Sequence, residues 1–252
     1  MNKTLKSILI GIGIIIVILV LMLAGFWLKM KSELKNMHVT ETKEVVSGVY
    51  AIKDSYVNMF MVKDSDSYIA IDAGADVKTI RNELKKLNID SSKVVAVLFT
   101  HCDGDHTAAL SMFKNASVYL SRQEEQMING KTTKMMFVHN SISRNDYNLL
   151  DDQQDLIIKN THIKCIATPG HTPGSMCYVV NNKYLFVGDA FGLKDGRINS
   201  PIKFFSADMK TAVQSVSKIA NLPAVQYVFT AHNGYSNDYK KAMVDWKKLN
   251  TK

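Results

Sequence analysis

Leu98-Phe99-Thr100-His101-Cys102-Asp103-Gly104-Asp105-His106 is the stretch on which the reading of this chain turns. It begins inside a continuous apolar run, residues 94–99, which is short enough to be a strand buried on both faces. Four side chains able to ligate a metal, His101, Asp103, Asp105 and His106, follow within six residues at the exit of that strand. Imidazole and carboxylate suit zinc, iron or manganese. A solvated loop rarely concentrates them this way, and Gly104 is expected to let the backbone turn tightly enough to aim them inward.

Three more segments repeat the logic of an apolar run ending in one ligand: Ala167-Thr168-Pro169-Gly170-His171, Leu185-Phe186-Val187-Gly188-Asp189 and Val228-Phe229-Thr230-Ala231-His232. Pro169 and Pro173 flank His171 and stiffen its loop, so less entropy is lost when a metal fixes it. A lone histidine at a strand end is usually an ordinary polar residue. Together with the cluster at 101–106, His171 and His232 become ligand candidates. His38 in the linker, His139 in the middle of the chain and His162 at a strand start lack such company and are not assigned to metal, although His139 could touch substrate.

Around these motifs, runs rich in β-branched and aromatic residues at 45–52, 56–63 and 67–72 predict a meander of strands. Val77, Ile80, Leu84 and Leu87 then recur at steps of three and four, the buried face of a helix. The order returns later: strands at 163–167, 175–180 and 184–187, a helix with Met209, Val213, Val216 and Ile219 inward, and a strand over 225–230. Strands lead into helices in both halves, which suggests two sheets face to face with helices outside, an αββα sandwich of the α/β class; periodicity alone shows only mixed α/β. Residues 122–160, polar and containing Met127, Met135 and Met136, are expected to be partly helical and to form the lid over the site. Cys102 takes a spacer position and reads as a small packed thiol. Asp72, after the third strand, reads as a structural turn cap beneath the site.

The ordered motifs resemble those of the metallo-β-lactamase superfamily of metal-dependent hydrolases, over roughly residues 45–235. The resemblance implies a metallo-β-lactamase fold with two adjacent divalent ions: His101, Asp103 and His171 on one, Asp105, His106 and His232 on the other, Asp189 bridging. It further implies a hydroxide bridging the ions that attacks an ester, thioester, lactone, amide or phosphoester of a small-molecule substrate, with Asp105 orienting it and shuttling its proton. The commoner family motif is His-x-His-x-Asp-His; this chain has Asp103 at the second position. An oxygen donor there adds a negative charge, so the expected two zinc ions could give way to iron or manganese. The alternative from another class is an iron-containing oxygenase, redox or sensor module on the same scaffold.

The 252 residues provide for one full-sized domain plus an appendage, and their 46% hydrophobic content supplies a core. Of the net charge of +8, six lysines against three glutamates in residues 1–44 account for +3, and the rest is spread without the basic runs or aromatic interleaving of a nucleic-acid face. Residues 8–28 carry no charge and match the length of one membrane span, with Lys3 and Lys6 before and Lys29 and Lys31 after, and Trp27 where an aromatic interface anchor sits. A cleaved signal peptide would have a shorter apolar core and small residues at its exit, not Phe26-Trp27. The organisation expected is therefore a head at 1–7, a transmembrane helix at 8–28, a juxtamembrane linker at 29–44 and a catalytic domain at 45–252, anchored in the cell membrane. Flanking lysines barely choose an orientation; the short head favours an extracytoplasmic domain, while three unpaired cysteines, Cys102, Cys165 and Cys177, point to a reducing compartment. Residues 239–252, with Trp246 and five lysines, read as a solvated terminal helix rather than a membrane-surface one.

Overall fold

A computed structural model describes residues 2–134, 140–244 and 246. The chain divides into two compact units, Met1–Met37 and His38–Lys252. The first is one helix, α1 (Lys3–Lys35), opened by the Asn2 side chain accepting from the Thr4 amide at 3.2 Å. None of its residues is buried, and it is long and apolar enough to cross a membrane. It continues through residues 29–35, into the stretch expected as linker, where Lys29 and Glu33 pair at 2.6 Å one helical turn apart.

The second unit is built on two sheets. The first holds seven strands in spatial order: β1 (Lys43–Val46), β2 (Val49–Asp54), β3 (Val57–Asp64), β4 (Ser67–Ile71), β5 (Val94–Leu98), β6 (Ser117–Ser121) and β7 (Asn148–Leu150). β1 to β4 form the expected antiparallel meander, and β4 to β7 run parallel. The run at 45–52 is two strands rather than one, reversed at Gly48, whose φ of +77° suits a residue without Cβ. The Ser47-Gly48 pair at the turn is the signal in the sequence that splits the run, set between apolar flanks that read as continuous. Helix α2 (Val77–Lys86) crosses from β4 to β5, capped by Asp76 and burying Ile80 and Leu84 as the periodicity requires. α3 (Gly104–Thr107) follows β5, and α4 (Arg122–Ile128) follows β6.

The second sheet begins with β8 (Asp155–Ile158), β9 (Thr161–Ala167), β10 (Met176–Val180) and β11 (Tyr184–Phe186). A ribbon of β12 (Gly192–Lys194) and β13 (Arg197–Asn199) and helix α5 (Met209–Ile219) then lead to β14 (Tyr227–Phe229) and β15 (Tyr235–Ser236), which join the sheet in the order β15-β14-β11-β10-β9-β8. Short helix α6 (Tyr239–Met243) follows; most residues beyond it lie outside the described ones, so the terminal helix expected over 239–252 is seen only in its first part.

Side-chain clusters identify the layers. Phe60, Leu98, Tyr178, Phe186 and Phe229 fill the space between the sheets. Ile80, Leu84, Phe99, Leu110 and Phe113 pack helices on the outer face of the first sheet. Val179, Leu185, Val216, Ile219 and Trp246 do the same outside the second. This is the αββα sandwich. In α5 the buried positions are Ala212, Ser215, Val216 and Ile219, with Val213 at the margin of the core, so the inward face is turned by about one residue from the one expected. The segment 122–160 is partly helical, as expected, and besides α4 it contributes an edge strand to each sheet, β7 and β8.

Candidate metal centre

All seven side chains singled out in the sequence meet at one end of the sandwich, at the exits of β5, β9, β11 and β14. His101, His106, His171 and His232 are buried, and the groups His101/Asp103/His171, His101/His106/Asp189 and Asp105/His106/His232 each bring their ligand atoms within 4.8 Å of one another. Asp189 stands between two halves. Its Oδ2 is 3.4 Å from His171 Nε2, while its Oδ1 is 3.5 Å from His106 Nε2 and 3.2 Å from His232 Nε2. In the first half Asp103 Oδ2 lies 3.6 Å from His101 Nε2 and 3.2 Å from His171 Nε2. In the second, Asp105 Oδ2 lies 3.8 Å from His106 Nε2 and 3.6 Å from His232 Nε2.

Neighbouring groups aim these imidazoles. Asp72 Oδ2 accepts from His106 Nδ1 at 2.9 Å, and Asp72 Oδ1 accepts from the Thr100 amide at 2.7 Å. Asp72 is thus more than a turn cap: its backbone is left-handed, φ +63°, and that bend turns its carboxylate back under the cluster. His232 Nδ1 donates to the Tyr56 carbonyl at 2.6 Å, and His101 Nδ1 lies 3.1 Å from Thr100 Oγ1. Each of these rings therefore presents Nε2 to the cleft, the second-layer arrangement typical of ligating histidines.

Glycines permit the close approach of the ligand loops. Gly170, with φ +138°, sits against the backbone of α5, where an added Cβ would meet Ala212 Cα at 2.3 Å. Gly188, with φ +51°, would drive a Cβ to 2.4 Å from Thr100 Oγ1. Gly104 is different. It starts α3 in ordinary helical backbone with open space around its missing Cβ, so the turn at 101–106 does not depend on it as expected; the loop is shaped by its entry into α3.

Three partners escaped the sequence reading. Glu124 in α4, buried, accepts from the Cys102 amide at 2.7 Å and from Thr172 Oγ1 at 2.6 Å, tying the loop at 101–106 to the one carrying His171. Its only sequence signal was a Ser121-x-x-Glu124 capping pattern, and Ser121 does cap α4, accepting from the Glu124 amide at 3.0 Å. Lys134 lies with Nζ in contact with Asp103 Oδ2 and 2.7 Å from His171 Nε2, and Asn140 Nδ2 donates to Asp103 Oδ1 at 2.9 Å. Both come from the segment expected as a lid; Met135, Met136 and His139 lie outside the described residues. His38 is remote in role, its amide donating to the His232 carbonyl at 2.8 Å, and His162 pairs with Asp155 at 3.3 Å.

Burial works to raise the carboxyl of Asp189, but His232, His171 and His106 around it reverse that and hold it well below the usual range. Asp103 is likewise ionised, burial being outweighed by His101, His171 and Lys134. Burial pulls on His106 and His232 in the opposite sense, yet Asp72, Asp105 and Asp189 raise His106, and chiefly Asp189 raises His232. For His171 burial prevails and its pKa falls to about 4. Burial also pushes the Cys102 thiol well up, so this neighbour of the ligands is a packed thiol rather than a thiolate.

The donor set fits divalent metal. His101 Nε2, His106 Nε2 and Asp189 Oδ1 are buried without a hydrogen-bond partner, a state that a protein interior rarely tolerates unless something else satisfies the atom. The model of the metallo-beta-lactamase superfamily matches residues 52–232. The chain belongs to this superfamily. Its curated relatives include a probable polyketide biosynthesis zinc-dependent hydrolase of Bacillus subtilis, 32% identical over 56% of this chain and 60% of the relative. A hydroxyacylglutathione hydrolase of Shewanella halifaxensis is 27% identical over 72% of this chain and 63% of the relative. The chain thus spans somewhat under two thirds of these proteins. Among solved structures, a metallo-beta-lactamase family protein of Thermus thermophilus superposes with a TM-score of 0.63 at 18% identity, over 82% of this chain and 81% of the other. A B3 metallo-beta-lactamase with an active-site glutamic acid gives a TM-score of 0.65 at 16% identity, over 87% and 92%. At those identities the likeness is one of fold. The relatives' names are those of hydrolases, one of them zinc-dependent.

Proposed function

We propose that this superfamily member hydrolyses an ester, thioester, lactone, amide or phosphoester bond of a small molecule at a two-cation centre. The observation that carries the reading is Asp189, whose two oxygens face different sets of histidines. His101, Asp103 and His171 would hold one ion, Asp105, His106 and His232 the other, with Asp189 shared. Bound there, a pair of divalent ions supplies activated water near neutral pH and polarises the bond under attack.

The chain's own residues do the rest. Asp105, one oxygen of which lies near both His106 and His232, orients the water and accepts its proton. Asp72 and the Tyr56 carbonyl keep His106 and His232 in the tautomer with a free Nε2. Phe191, Ile202 and Asn233 line the cleft beside His171 and Asp189. Zinc is the ion proposed, as in the names of relatives; the Asp103 oxygen also suits iron or manganese. The division into head 1–7, span 8–28, linker 29–44 and catalytic domain 45–252 is proposed with it, α1 anchoring the enzyme in the cell membrane and the domain on the outer side.

The test is to purify the full chain in detergent, quantify its metals, and assay it against a panel of the five bond types. Turnover of one class, lost with a chelator and restored by metal, supports the reading. Metal-loaded protein that cleaves none of them but consumes oxygen with iron bound would replace hydrolysis with the oxygenase alternative.

A further inference from the structure

The two halves of the cluster are unequal in what already fills them. Lys134 is not a surface lysine resting on a carboxylate, since its side chain is only 10% exposed. Its ammonium meets Asp103 Oδ2 and donates to His171 Nε2 at 2.7 Å, the very atoms that face each other at 3.2 Å in the first half. Asn140 takes the other oxygen of Asp103, at 2.9 Å, and so turns Oδ2 toward the lysine and the cleft. Among the described residues no Lys or Arg pairs with Asp105 or Asp189, so nothing comparable enters the second half.

We infer that Lys134 is a resident cation of the His101/Asp103/His171 half, competing with a divalent ion for the lone pairs of Asp103 and His171. An ammonium and a divalent ion repel, and His171 Nε2, which has one lone pair, cannot both accept N–H from Lys134 and coordinate metal. The two must therefore exclude each other from this space. Asp103 makes the competition close to balanced: an imidazole in its place would offer the lysine no opposite charge, whereas one carboxylate neutralises one ammonium. The second half consequently fills first, and the first half fills only at a free metal concentration that displaces Lys134. The inference rests on the two-cation reading above and adds an order of filling to it.

The experiment is metal binding rather than turnover. The full chain in detergent, stripped with a chelator, is equilibrated with Co2+ or Zn2+ at buffered free concentrations, bound metal is counted, and Co2+ absorption reports each half. Wild type should take one tight equivalent and a second weaker by on the order of 10- to 100-fold, the range over which a group touching a ligand shifts metal affinity. Lys134→Met, of similar reach without charge, should close that gap, Lys134→Arg should keep it, and Asp103→Ala should lose the weak equivalent alone. Thermal melting of each variant identifies any that has not folded. Two equal equivalents in wild type, or a Lys134→Met variant that binds as wild type does, overturns the role of the lysine while leaving the two-cation reading intact. A wild type that binds no metal overturns that reading itself.

Discussion

The half of the cluster around His106 and His232 and the half around His101 and His171 use the same residue types to different ends. In the former, the imidazoles are fixed from behind by Asp72 and the Tyr56 carbonyl, and among the described residues no lysine or arginine pairs with the carboxylates they face. In the latter, Asp103 and His171 are already engaged by Lys134 and Asn140 on the cleft side. Preorganisation without a protein cation among the ligands favours tight metal; preorganisation with one in place favours an exchangeable metal. Ligand identity alone thus does not rank two sites. What stands around the ligands does.

The severest way to break the comparison is to remove what the halves share. Asp189→Ala should strip bound metal and lower turnover by about 10³-fold or more, roughly 4 kcal/mol of barrier. Metal content equal to wild type in that variant would mean that Asp189 does not join the halves. Next in size is Asp72→Asn. Asn tolerates the left-handed backbone at this position, φ +63°, so the substitution removes the charge behind His106 with little strain. Affinity at the tight half should fall about 10- to 100-fold, with a smaller loss at the exchangeable half, which Asp72 reaches only through the Thr100 hydroxyl beside His101 Nδ1. Equal losses at both halves, read from Co2+ titration, would erase the distinction.

Much of this was legible in the sequence because both the strands and the ligands leave patterns. Apolar runs ending in His or Asp announced the exits of β5, β9, β11 and β14, and the i, i+3, i+4 steps of α2 announced its buried face. What stayed hidden has no period and no diagnostic residue type. Lys134 and Asn140 are ordinary polar residues in an irregular stretch and Glu124 is one in short helix α4, and only the path of the chain brings them to the ligands. Asp72 was visible but its role depended on a left-handed φ that sequence does not specify. Gly104 misled in the other direction, since a glycine beside ligands suggests a special turn where the backbone is ordinary helix.

Protons offer a gentler probe of the same contrast. In the chelator-stripped chain the carboxylates around His106 and His232 outweigh burial and make them hold protons more tightly than usual, while for His171 burial, helped by His101 and Lys134, outweighs Asp189 and Asp103 and brings its pKa to about 4. A histidine with a raised folded pKa stabilises the stripped chain fully below about pH 6.5, its unfolded value, and that contribution is lost as pH rises through the folded pKa. Metal must displace those protons, so the bound form gains as the stripped form loses. The melting temperature difference between loaded and stripped chain should therefore widen from pH 6 to 8 by about 3 °C, the shift that ~1 kcal/mol gives in a domain of this size. A gap that stays constant would show that the tight half is not the one whose histidines hold their protons.

The smallest expected effect sharpens the comparison most, because it touches one half through a residue that ligates nothing. Glu124 joins the Cys102 amide and the Thr172 hydroxyl, so it grips the 101–106 loop between His101 and Asp103 and ties it to the loop of His171, while Asp105 and His106 lie further along in α3. In Glu124→Gln one oxygen can still accept from the Cys102 amide, but the other becomes an N–H2 facing the Thr172 hydroxyl. That hydroxyl can rotate to accept instead, and Ser175 Oγ at 2.8 Å is there to take its proton. The exchange should then cost about 1 kcal/mol of stability or less, the worth of one altered hydrogen bond. Its mark on metal binding should be a weakening of a few-fold confined to the exchangeable equivalent, readable as a displaced second step in the Co2+ titration. A change in the first step instead would mean that the brace at Glu124 serves the whole cluster, and that the two halves are not supported independently.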